Sequence, residues 1–71
     1  MYTFQIMTPD FELQIKTQVY ADSISDLYRQ AKDMVDKFPE MKGLKYGVWR
    51  RRKGKDGRWL TEALKIDRVS E

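Results

Sequence analysis

Four consecutive cations, Arg50-Arg51-Arg52-Lys53, lie within a basic stretch that also holds Lys45, Lys55 and Arg58, and the run is bracketed by Trp49 and Trp59. Guanidinium and ammonium groups attract phosphates and carboxylates. Indole rings stack on unpaired bases or receive a cation over their face. From Lys42 to Arg58 the chain carries eight basic residues against the single acidic Asp56, giving +7, while the other residues carry six basic and ten acidic, giving −4. The net charge of +3 conceals this division. Clustered like charges sum to a potential that draws oppositely charged partners, so the segment reads as a binding surface for nucleic acid or for an acidic protein. A charged hairpin tip also protects an exposed sheet edge from aggregation, but four cations in a row exceed that need. The tryptophans have a competing use as core residues under the far end of a helix, and at least one is expected there. Tyr46 is expected in the core.

The rest of the composition argues against catalysis. The chain has neither histidine nor cysteine, which removes the commonest general base, the best nucleophile and the soft metal ligands. Asp33, Asp36 and Glu40 are spaced by three and four, but they share a polar face with Arg29, Lys32 and Lys37 and read as a solvated, ion-paired surface. The glycines at 43, 47, 54 and 57 lack the spacing and the following lysine and hydroxyl of a nucleotide cradle. The expectation is a non-catalytic binding protein with no cofactor and no metal.

These residues need a scaffold. A chain of 71 residues reads as a single domain that buries only about 60% of its unfolded surface, and without cysteine or zinc ligands it depends on its apolar core. The hydrophobic content of 41% suffices for one despite 35% charged residues. Tyr2, Phe4 and Ile6 alternate with polar neighbours and predict a strand over 2–7. Phe11, Leu13, Ile15 and Val19 alternate likewise and predict a second strand after a Thr8-Pro9-Asp10 turn. Ser23 with Asp26 three residues later marks a helix start. Ile24, Leu27, Tyr28, Ala31, Met34, Val35 and Phe38 then form one stripe at helical spacing, ended by Pro39. Leu44, Tyr46 and Val48 begin a third strand, Gly54-Lys55-Asp56-Gly57 is a turn, and the segment from Arg58 to Ile66 reads as strand in preference to helix, with Leu60, Leu64 and Ile66 on one face. The expected fold is a small α+β domain, β-β-α-β-β, whose antiparallel hairpins form a sheet packed on one helix. Residues 44–66 form the basic hairpin and 67–71 a short frayed tail. Alternation places Arg50 and Arg52 on one face of the third strand, and Trp49, Arg51 and Lys53 on the other.

Val19-Tyr20-Ala21-Asp22-Ser23-Ile24-Ser25-Asp26 resembles the strand-to-helix junction of the small podophage-encoded inhibitor of bacterial RNA polymerase. The resemblance covers roughly residues 2–52. It implies a phage protein that binds the polymerase, with Arg50 and Arg52 nearest to that family's functional strand arginines. The longer helix and the added segment 58–66 depart from that pattern. The leading expectation from the residues themselves is a nucleic-acid-binding protein, with duplex DNA as the favoured form, presenting Lys45, Trp49, Arg50, Arg51, Arg52, Lys53, Lys55, Arg58 and Trp59. The alternative is an inhibitor or adaptor that docks the same hairpin on an acidic host protein. No segment approaches the roughly 18 apolar residues of a membrane span, so no membrane association and a cytoplasmic location are expected, and exposed strand edges leave room for a homodimer.

Overall fold

The computed structural model describes residues 1–70 and has the expected α+β class: a four-stranded antiparallel sheet with helices. Strand β1 is Tyr2–Met7, helix α1 Phe11–Lys16, β2 Gln18–Ala21, α2 Ile24–Lys37, β3 Lys45–Lys53 and β4 Trp59–Arg68, with a single 3-10 turn at Pro39–Met41. The sheet order is β2-β1-β3-β4. The first and third strands therefore pair directly, Phe4 opposite Val48 and Thr3 opposite Trp49.

The main helix forms as its sequence predicts. Ser23 caps it, its hydroxyl accepting the Asp26 N–H at 3.2 Å, and Phe38 ends it just before Pro39. Leu27, Ala31 and Met34 are buried against Phe4, Ile6 and Val48. Met41, delivered by the 3-10 turn, completes the core. Full burial of each large apolar side chain is worth about 1.5–3 kcal/mol. Tyr46 joins as expected, its ring stacked on Phe4 at 5.0 Å between centroids.

Three expectations are corrected. Residues 11–16 are helical, and only Gln18–Ala21 is strand, so the order becomes β-α-β-α-β-β. Asp10 caps α1 by accepting the Leu13 N–H, and Glu12 pairs with Lys16 one turn on at 2.7 Å. The apolar alternation through Phe11 and Ile15 does not mark a buried face, since these side chains are 71% and 61% exposed. The supposed tail is ordered in pairing. Strand β4 continues to Arg68, the Val69 N–H donates to the Leu44 carbonyl at 2.8 Å, and the Gly43 N–H donates to the Val69 carbonyl at 2.9 Å. Glu71 lies outside the described residues. Finally, Leu60, Leu64 and Ile66 do not share a face. The β3–β4 register slips between Val48 and Trp49, which lie opposite Lys65 and Ala63, so Leu64 is an extra, bulged residue.

Helix α2 packs mainly on β1 and β2. The β3–β4 hairpin continues past the last β1–β3 pair, at Arg50, to Lys53 opposite Trp59, and the molecule measures 41 × 25 × 18 Å. No described helix is long and apolar enough to cross a membrane.

Candidate functional site

Sheet geometry decides what each residue of the basic run can reach. Phe4, Ile6, Tyr46 and Val48 point toward α2, so Thr3, Gln5, Gly47 and Trp49 point to the opposite face, which no helix covers along most of its extent. Continuing β3 by the same period puts Arg51 and Lys53 on this open face, and Arg50 and Arg52 on the α2 side, as the alternation predicts. On β2, Val19 packs inward and Tyr20 therefore projects outward, in register with Thr3 and Trp49.

Neither tryptophan is in the core, which corrects the expectation that at least one would lie beneath the helix. Trp49 is half-buried because its indole lies flat on the open face over Gly47. A Cβ at Gly47 would sit 2.1 Å from Trp49 Cη2. Glycine at this position is thus a steric requirement of the ring above it. Trp59, opposite Lys53 on β4, is 59% exposed and carries cations on its face, with the Arg51 guanidinium carbon 5.0 Å and Lys53 Nζ 5.8 Å from the ring centroid. Between and beside these rings lies a shallow concavity of about 420 Å³, lined by Met1, Thr3, Gln5, Gln18, Tyr20, Trp49, Arg51, Trp59 and Thr61. Among the described residues, no carboxylate lines it.

The remaining cations are distributed differently. Arg50 Nη2 and Arg52 Nε both approach one carboxylate oxygen of Glu62, at 2.9 and 3.4 Å, on the α2 side of the hairpin. Arg58 Nε lies 3.5 Å from Asp56 within the turn. Among the described residues, Arg51, Lys53, Lys55 and Lys45 have no carboxylate within 4 Å. Lys45 is on the open face at the end of β3 remote from the tip, and Lys55 is at the tip. The turn is closed by the Gly54 N–H donating to the Arg58 carbonyl at 2.7 Å, with Gly57 at φ +82°, where glycine is favoured. The structure thus splits the nine anticipated residues. Trp49, Arg51, Lys53 and Trp59 converge on the open face, Arg50 and Arg52 occupy the opposite face, and Lys45, Lys55 and Arg58 flank them.

Sequence reading missed Tyr20, Thr3, Gln5, Gln18 and Thr61 as part of this face. The signal was present: once Val19 and Val48 are read as inward, their neighbours Tyr20 and Trp49 must point outward. Among the described residues, no group of three or more potential metal ligands comes together.

Comparison with known proteins assigns no relative: the chain matches no protein-family model, no curated protein and no solved structure.

Proposed function

We propose that this is a non-catalytic nucleic-acid-binding protein that engages phosphates through the β3–β4 hairpin. The observation that carries the reading is the grouping of Arg51 and Lys53 with Trp49 and Trp59 on one face where, among the described residues, the two cations have no carboxylate partner and no carboxylate lines the concavity. Cations already neutralised by neighbours gain little from a phosphate, whereas unpaired ones release counterions from it on binding. Electrostatics supplies most of the affinity, and phosphate contacts position the ligand without reading its sequence.

The test is fluorescence anisotropy of labelled DNA and RNA titrated with the wild type, with Arg51→Ala/Lys53→Ala and with Arg50→Ala/Arg52→Ala. The first pair should lower affinity by about tenfold or more, and the second should have the smaller effect. Absence of binding by the wild type at low salt refutes the reading.

A second reading draws on the other face of the hairpin. Arg50 and Arg52 lie there with the exposed Leu60, beyond the cover of α2, a cationic and apolar combination suited to an acidic protein surface. The polymerase-inhibitor resemblance implies such a partner. Under this reading the Arg50/Arg52 pair is the damaging one, and the assay is inhibition of transcription by a bacterial RNA polymerase.

A further inference from the structure

We infer that the ligand is a single-stranded nucleic acid that crosses the open sheet face diagonally from Trp59 to Tyr20, with its unpaired bases stacked on the aromatic rings of that face. This rests on the nucleic-acid reading above and names the form of nucleic acid that fits.

Three aromatic residues occupy that face on three different strands. Tyr20 on β2 and Trp49 on β3 lie in one row, each in register with Thr3 of β1, and two strand spacings place them about 10 Å apart. Trp59 is opposite Lys53, four residues along from Trp49, or about 14 Å further. Trp49 lies flat over Gly47 with its outer face uncovered by the sheet, which is the orientation a base needs for stacking. Bases within a duplex already have both faces covered by their neighbours, so flat rings on a sheet reward only unpaired ones.

The chemistry between the rings agrees. The Arg51 guanidinium lies over the Trp59 ring, 5.0 Å from its centroid, placing a cation where the phosphates of a strand crossing this face would run. Gln5 and Gln18 are adjacent on β1 and β2 and offer amide donors and acceptors to base edges. Among the described residues, no acidic side chain lines the concavity, whereas Arg51 does. Base faces and phosphates are common to DNA and RNA, so both sugars are accommodated.

Tyr20 provides the decisive variant because it lies on β2, outside the basic hairpin, and is 53% exposed, so its removal changes neither the cationic run nor the core. Anisotropy is measured on the full chain with a twelve-nucleotide oligo-dT, an oligo-U of the same length and a twelve-base-pair duplex. Circular dichroism checks that each variant remains folded. The single strands should bind more tightly than the duplex and quench tryptophan fluorescence. Tyr20→Ala should weaken single-strand binding by about 5- to 150-fold and leave duplex binding unchanged, and Tyr20→Phe should restore it. If the duplex binds as tightly as the single strands and Tyr20→Ala alters neither, stacking on the open face is wrong. Continued dependence on Arg51 and Lys53 would then preserve the broader nucleic-acid reading. If nothing binds at low salt, both fall.

Discussion

At the residue scale, two placements govern the site. The Trp49 indole is held flat by the absence of a side chain at Gly47, so Gly47→Ala forces the ring off the sheet or displaces the strand. Overpacking of this kind costs about 1–3 kcal/mol. Urea denaturation should report that loss, and in a Trp59→Phe background the emission of the remaining tryptophan should shift to the red as its ring becomes more exposed. A second placement concerns Lys65, whose ammonium is held above its ordinary value first by the charge and then by the hydroxyl of Tyr46, with smaller contributions from Tyr28 and Asp67. Because the folded value is raised, this contribution is complete below the ordinary lysine value and disappears as pH rises through the raised one. NMR titration of the Lys65 side chain should show the elevation, and Tyr46→Phe should lower the value toward the ordinary one. An unchanged value in the variant would contradict the assignment.

At the scale of elements, the two helices differ in what holds them. Helix α2 has a cap and an apolar face buried in the core, whereas α1 has six residues, one cap, one exposed ion pair and no buried side chain. Ser23→Ala should cost about 1 kcal/mol in global stability. Asp10→Ala should act locally, raising amide exchange over residues 11–16 while the sheet stays protected, and uniform loss of protection would show that α1 is integral to the core. This difference explains what was legible in the sequence. The stripe from Leu27 to Phe38 is long and strongly periodic, and its cap and proline stop mark its ends. Residues 11–16 fit strand alternation and a helix equally well over so short a window. The deciding features were Asp10 as cap and Glu12 four residues before Lys16. In β4, alternation fails at the Leu64 bulge, which apolar spacing does not announce. The faces of β3 were legible because no bulge interrupts that strand's alternation. Tyr20 was not legible because β2 has only four residues, too few for alternation alone to fix which of them face outward.

At the scale of the whole molecule, the core and the proposed binding face lie on opposite sides of the sheet. The core of Phe4, Ile6, Leu27, Ala31, Met34, Met41 and Val48 lies between α2 and the inner strands, and the distal hairpin, with Arg51 and Lys53, continues past the β1–β3 pairing. Leu27→Ala should therefore cost about 2–5 kcal/mol, enough to unfold much of so small a domain at room temperature. Arg51→Ala/Lys53→Ala should change stability by no more than about 0.5 kcal/mol. Thermal melts of the two variants distinguish these outcomes. The same separation allows the charge surface to be tested without ambiguity from misfolding. The most direct measurement is the affinity for oligo-dT across a salt series, for the wild type and for Arg51→Ala/Lys53→Ala. With Arg51, Lys53 and Lys55, the hairpin cations without a carboxylate partner among the described residues, on phosphates, the logarithm of the binding constant should fall with the logarithm of salt at a slope of about −2, becoming about −0.7 in the variant. A slope near zero, or one that the variant leaves unchanged, would contradict a phosphate-binding role for this face.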